Sequence, residues 1–146
     1  ADLAQRGRAM TIGGDPEFFE RPEWAAVRDA YGLRFAEQRT FSPTFMYNAL
    51  KSGEADVIGA YTSDGRIAAD NLAILDDPKR AFPNYDAILL VSPQRRDEAR
   101  LIDTLRPLIG AIDVEAMRAA NLSVDREENK LSPDEAALML AESLNL

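Results

Sequence analysis

The amino-acid sequence predicts an α/β fold, a largely parallel or mixed sheet followed by C-terminal helices. Between residues 9 and 91 short apolar runs alternate with stretches of helical spacing, the signature of strand–helix units. Ser-Pro pairs at 42, 92 and 132 mark helix starts, and Gly32 and Gly53 stand where two helices should stop. Past Val91 only helical spacing remains. The chain is therefore expected to divide into an α/β lobe over residues 1–91 and a helical segment over residues 92–146.

Asp2 to Met10 reads as a short helical entry and Ala9 to Gly13 as a brief strand. Gly13-Gly14-Asp15-Pro16 turns the chain into Glu17-Phe18-Phe19-Glu20-Arg21-Pro22. That strand-to-helix loop carries two aromatics beside an arginine, a favourable place for a site. Pro22 suits the first turn of a helix running through Tyr31, which Gly32 ends. Leu33 to Gln38 has period-two character and is predicted to be a strand. Ser42-Pro43 opens a helix with Phe45, Met46, Ala49 and Leu50 on one face. Strands are then expected over Ala55–Ala60, Leu72–Leu75 and Asp86–Val91, the last being the most apolar.

Asp64-Gly65 supplies a turn, because glycine accepts backbone angles that other residues avoid, and Asp64 can cap a helix beginning at Arg66. Asp76 to Arg80 is a polar loop. Ser92-Pro93 starts a helix with Ala99, Leu101, Ile102 and Leu105, interrupted near Pro107. Asp113 caps the next helix, and Ser132-Pro133-Asp134-Glu135 is a capping box for the last.

Composition narrows the chemistry. The 146 residues suffice for a domain with a real core, and 46% hydrophobic with 29% charged residues reads as an ordinary globular chain. A net charge of −8, with basic residues interspersed among acids, disfavours nucleic acid as a partner. The chain has no cysteine, so thiolate catalysis, disulfides and cysteine-rich metal sites are excluded. It has no histidine either, which removes the commonest general base and most transition-metal sites. Paired carboxylates can be proposed anywhere among 25 acids and so carry no signal. Gly13-Gly14 is too short for a phosphate cradle. Neither an enzyme, a metal nor a cofactor is expected. No apolar run approaches the ~20 residues of a membrane-spanning helix, and no signal peptide stands at Ala1.

One stretch organises the rest. The strand Ala55-Asp56-Val57-Ile58-Gly59 runs into Ala60-Tyr61-Thr62-Ser63-Asp64-Gly65-Arg66-Ile67. It delivers an aromatic, two hydroxyls and a carboxylate to a strand's carboxyl end, where open α/β sheets bind ligands. With Met46 to Ala55 before it, this stretch resembles the substrate-binding proteins of glycine betaine/choline ABC transporters. The resemblance takes in Glu17 to Pro22 and Phe82-Pro83-Asn84-Tyr85, and extends more loosely to the C-terminus. It implies one lobe of a type II periplasmic-binding-protein-like fold plus C-terminal helices. It covers what looks like the second half of a family member, whose two lobes close on ligand. It further implies an extracytoplasmic receptor, a permease partner and a quaternary ammonium ligand held in an aromatic cage. Glycine betaine, choline and thione-bearing betaines such as ergothioneine all remain open.

A quaternary ammonium group donates no hydrogen bond, so its recognition rests on dispersion and on attraction to several aromatic faces. Core packing is the commoner role for any phenylalanine or tyrosine. Phe18, Phe19, Tyr61 and Tyr85, however, lie in loops or at strand ends rather than on a periodic face. The resemblance places family cage aromatics at Phe19, Tyr61 and Tyr85. It places the family's arginine at Arg21, whose planar fork suits a betaine carboxylate; a surface ion pair with Glu20 or Glu23 is the plainer role. Thr62 offers a hydroxyl, though stabilising the turn is its stronger claim. A rival reading is the effector domain of a regulator with the same fold, which would need a basic DNA-binding segment that the sequence lacks. Without the first lobe, the helices of 92–146 are expected to leave apolar faces that invite a homo-oligomer or domain swap. Light scattering at micromolar concentration should then report a mass above 16.1 kDa; a monomer across dilution would count against that expectation.

Overall fold

In the computed structural model, which describes residues 2–145, the sheet is built on one central strand. Thr11–Gly14 (β1) lies between Glu37–Thr40 (β2) and Val57–Ile58 (β3), and both pairings are parallel. Ile12 stands opposite Gln38 on one side and Val57 on the other. Single hydrogen bonds lengthen the ladders: the N–H groups of Ala36 and Phe41 donate to Met10 and Gly14 carbonyls (both 2.9 Å), and that of Gly59 to Gly13 (3.0 Å). Asp56 joins by its side chain, accepting from the Thr11 N–H at 2.8 Å.

Asp2–Arg6 (α1) precedes the sheet, Pro22–Tyr31 (α2) links β1 to β2, and Pro43–Ser52 (α3) links β2 to β3. The expected punctuation sets these helices. Arg21 and Ser42 are extended at the N-caps, as residues before proline must be, and Pro22 and Pro43 open the first turns. Gly32 and Gly53 end them at φ of 63° and 79°, the left-handed region that costs other residues. Ile12, Trp24, Val27 and Leu33 form the core, flanked by Leu3, Phe18, Phe19, Tyr31, Phe35 and Val57. Burial of such side chains stabilises by about 1.5–3 kcal/mol each.

The chain forms two compact units. Ala1–Tyr61 with Leu75–Tyr85 makes the first and holds the sheet; Thr62–Ile74 with Asp86–Leu146 makes the second. The second contains the helices Gly65–Ala69 (α4), Ala99–Leu105 (α5), Val114–Asp125 (α6) and Pro133–Ser143 (α7). This division differs from the single cut at residue 91, because residues 62–74 go with the C-terminal helices. Gly65 shows why. A Cβ there would stand 2.4 Å from the Leu122 nitrogen and 2.5 Å from its Cα, so α4 meets α6 backbone to backbone. Close approach, rather than a turn angle, is what requires this glycine; the positive-φ glycines are 32, 53 and 110.

Caps in the second unit follow the sequence. Asp113 Oδ1 accepts from the Ala116 N–H at 2.7 Å. The Glu135 N–H donates to Ser132 Oγ (3.2 Å) while the Ser132 N–H donates to Glu135 Oε2 (2.8 Å), closing the capping box. Other expectations fail. Neither 72–75 nor 86–91 is a strand: apolar, β-branched composition supplies propensity, but a ladder needs a neighbour, and neither stretch has one. Ile88 and Leu90 are 72% and 87% exposed. The strand read from Leu33 begins only at Glu37. After Ser92-Pro93 the chain makes successive turns, Arg95 N–H to Ser92 carbonyl and Glu98 N–H to Arg95 carbonyl (both 3.0 Å), and becomes helical only at Ala99.

The Gly65 contact is testable. Gly65→Ala should destabilise the protein by about 1–3 kcal/mol, since the atoms met are backbone and cannot step aside. Gly32→Ala, where nothing lies within 4 Å, should cost only the ~1 kcal/mol of a left-handed residue. Urea midpoints compare the two; equal losses would remove the α4–α6 explanation.

Candidate functional site

The loops that follow β1 and β3 leave the same edge of the sheet, because the two strands are parallel neighbours. The chain leaves β1 toward β2 on one side and returns across to β3 on the other, so this edge is a topological switch point, where open α/β sheets bind ligands. The first loop is bent by Asp15, whose Oδ1 accepts from the N–H groups of Glu17 (2.8 Å) and Phe18 (2.9 Å). A tight turn over Phe18–Glu20 follows. Phe18 then lies across both strand ends. A Cβ on Gly14 would come within 2.5 Å of its ring, and one on Gly59 within 2.7 Å. Phe18, Phe19 and Trp24 form a triangle of rings with centroids 5.2–5.6 Å apart.

Arg21 stands next, at the N-cap of α2. Its Nη1 donates to the Tyr61 hydroxyl oxygen at 3.3 Å and its Nη2 to Glu17 Oε2 at 2.9 Å. The Tyr61 bond first, and the Glu17 bond second, push the guanidinium pKa further up, so the group is a fixed cation. Tyr61 meets Tyr85 edge to face, with centroids 6.1 Å apart and planes at 67°. The Tyr85 hydroxyl donates to Glu23 Oε1 at 2.9 Å. Glu23 lies in the first turn of α2. Its own backbone N–H and the Tyr85 hydroxyl hold its carboxyl below the usual range, while the same bond and burial raise the Tyr85 phenol.

Tyr85 ends a segment without helix or strand, and side chains pin that segment to α2. The Tyr31 hydroxyl donates to Asp77 Oδ1, and the Phe82 N–H donates to Asp77 Oδ2 at 2.8 Å. The Lys79 N–H donates to the Tyr31 oxygen at 2.8 Å, and the Lys79 ammonium lies 5.0 Å from the Tyr31 ring centre while donating to the Ala30 carbonyl. The Tyr31 bond and the backbone N–H groups of Phe82, Ala81 and Arg80 depress the Asp77 pKa. Burial chiefly, then Asp77, raises that of Tyr31.

Of the six residues singled out from the sequence, the structure brings Arg21, Tyr61 and Tyr85 into one cluster. Phe18 and Phe19 belong to the Trp24 cluster, half-buried on the core. Thr62 lies in the second unit, where its carbonyl accepts from Arg118 Nε (2.9 Å) and Nη2 (2.6 Å); the Ser63 carbonyl beside it accepts from Asn121 Nδ2 at 3.0 Å. The ion pair of Arg21 is with Glu17 rather than Glu20 or Glu23. Sequence reasoning missed Glu23, Asp77 and Tyr31. Their partners are 62 and 46 residues away, and no local spacing signals such pairs.

Tyr61 and Tyr85 are each 53% exposed, so their cluster is an open wall, not a cavity. Two cavities lie elsewhere. One of about 230 Å³ is lined by Phe41, Phe45, Asn48, Ala49, Ser52 and Glu54 in the first unit, and one of about 210 Å³ lies between α6 and α7. Among the described residues no cluster of acids could hold a metal ion, and no helix is long and apolar enough to cross a membrane.

Residues 1–139 match the family described as the substrate-binding domain of the ABC-type glycine betaine transport system. The carnitine transport binding protein OpuCC of Listeria monocytogenes is 32% identical over 128 residues, which cover 86% of this chain and 42% of that protein. The glycine-betaine-binding protein of Pseudomonas aeruginosa is 35% identical over 132 residues, again 86% of this chain and 42% of the relative. A solved structure described as a glycine betaine/carnitine/choline ABC transporter superposes with a TM-score of 0.79 at 28% identity, over 99% of this chain and 53% of the other. The chain thus spans about half the length of the relatives it matches.

The Asp77 clasp has a pH signature. Its carboxyl is depressed in the folded state, so its stabilisation is present above the ordinary carboxylate pKa and lost as pH falls through the folded value. Between about pH 6 and about pH 3 the wild type should lose more stability than Asp77→Asn, read as urea midpoints. Parallel losses in the two proteins would show that the clasp does not contribute.

Proposed function

The chain belongs to the family of substrate-binding domains of ABC-type glycine betaine transport systems, and on that premise we propose that it binds a quaternary ammonium compound for an ABC importer. Glycine betaine, carnitine and choline are the candidates. The carrying observation is the edge-to-face pair Tyr61–Tyr85 with Arg21 bonded to Tyr61, placed at the switch-point edge of a parallel sheet. Two half-exposed rings offer faces to a cation that can donate no hydrogen bond, and each face supplies attraction once water is excluded.

Arg21 supplies the complementary function. A guanidinium carries five N–H groups. With one on Tyr61 and one on Glu17, N–H groups remain to donate to the carboxylate of a betaine. The Phe19 ring supplies a further wall in this proposal, and Phe18 holds the loop beneath it. The receptor works outside the cytoplasm and hands its ligand to a permease, as its family membership supports.

Isothermal titration of the full-length protein with glycine betaine, carnitine, choline and ergothioneine tests the reading. Arg21→Ala should weaken glycine betaine and carnitine more than choline, which has no carboxylate. Tyr61→Ala should weaken all the quaternary ligands about tenfold, the worth of one desolvated ring face. Arg21→Ala with unchanged betaine affinity, or a wild type that binds none of the four, would overturn it.

A further inference from the structure

Arg21 and Glu23 are two residues apart at the start of α2, carry opposite charges, and do not pair with each other. Each takes a tyrosine instead: Arg21 donates to Tyr61, and Glu23 accepts from Tyr85. The Arg-Pro-Glu stretch therefore acts as a two-pronged bracket on a ring pair whose members come from separate parts of the chain. The two prongs differ in what remains available. Arg21 keeps free N–H groups, whereas Glu23 has Oε1 on Tyr85 and Oε2 closed to solvent without a hydrogen-bond partner. The oxygen through which Glu23 acts is therefore the one that holds Tyr85.

We propose that Glu23 is a positioning residue that fixes the Tyr85 ring as a wall of the quaternary-ammonium site. The proposal rests on the function proposed above. Tyr85 needs such a device more than Tyr61 does. Tyr61 follows directly on β3, whereas Tyr85 ends a stretch with no backbone ladder, and half its surface is open. An exposed ring on an irregular segment must lose rotamer freedom when it becomes part of a binding wall, and that loss weakens binding. The bond to Glu23 fixes the far end of the ring, and the Asp77–Tyr31 clasp fixes the segment upstream. The raised phenol pKa of Tyr85 agrees with a hydroxyl committed to a carboxylate. The bond engages the hydroxyl and leaves the ring face uncommitted.

Positioning makes a different prediction from direct charge. If the Glu23 charge attracted the ligand cation, the neutral Glu23→Gln would weaken both ligands as much as Glu23→Ala; if it repelled a carboxylate, its removal would change betaine and choline affinities unequally. A positioning residue shifts both alike. In the full-length protein Glu23→Ala should weaken glycine betaine and choline equally, by about three- to tenfold, the net worth of one ordinary hydrogen bond. Glu23→Gln, which keeps an acceptor oxygen for the phenol, should restore binding to within about twofold. Tyr85→Phe should match Glu23→Ala, and the double variant should be no worse than either single, because the two residues act as one unit.

A readout without ligand completes the test. Spectrophotometric titration of the tyrosines should show two raised phenols in the wild type, Tyr31 and Tyr85, of which one returns to the ordinary range near pH 10 in Glu23→Ala while the other stays. Additive losses in the double variant, Glu23→Gln as weak as Glu23→Ala, or an unmoved titration curve would each overturn the proposal. If the wild type binds none of the quaternary ligands, the transport reading falls, and the titration curve alone decides the Glu23–Tyr85 link.

Discussion

The contact on which the site depends is that of one phenylalanine ring with two glycines. Phe18 lies across the carboxyl ends of β1 and β3, against Gly14 and Gly59, where a single methyl group would collide with it. Parallel pairing brings those strand ends together, but a loop crossing them needs something to seat on. The Phe18 ring provides that seat, and its contact with Trp24 ties the seat to the core. Asp15 sets the loop's curvature immediately before it. Arg21, three residues on, is thereby delivered within reach of Tyr61, which the chain supplies from β3. Neither residue would find the other without the bridge beneath them.

Tyr85 arrives by a different kind of constraint. Residues 75–85 have no ladder to hold them, so side chains do the work that backbone does elsewhere. Asp77 accepts from a phenol on one oxygen and a backbone N–H on the other, which ties two parts of the chain with one carboxylate. Glu23 adds a second tie at the end of the segment. Such bonds to ionised groups are the stronger class of hydrogen bond, yet these are on the surface and titrate. The Tyr85 half of the site thus depends on two carboxylates remaining ionised.

What the sequence showed and what it hid divide along the range of the interaction. Helix ends depend on neighbours within four residues, so Pro22, Gly32, Pro43, Gly53, Asp113 and the Ser132–Glu135 box were all legible. Strands depend on partners far along the chain. Asp86–Val91 has the composition of a central strand but no ladder partner among the described residues, and Leu72–Leu75 is alike. Gly65 was legible as important for the wrong reason, since a turn signal and a close-packing signal are the same letter. Tyr61, Tyr85 and Arg21 could be singled out because they stand in loops at strand ends. Glu23 could not, because a glutamate in a first helical turn is what any helix start would carry.

The placement of charge in the cluster bears on the kind of ligand it suits. Glu17 bonds Arg21 through one oxygen and Glu23 bonds Tyr85 through one, so each acid next to the ring pair is already engaged. A site for a primary ammonium would do better with an open carboxylate that accepts its N–H groups. A quaternary ammonium has none to give, and an open carboxylate beside it would also repel the acid end of a betaine. Committing both acids to the arginine and the tyrosine removes that repulsion while leaving a cation and two ring faces. That is the complement of a zwitterion whose positive end is methylated. On the function proposed above, the same arrangement would rank choline below the betaines, because choline would gain the rings but leave the Arg21 N–H groups without a carboxylate.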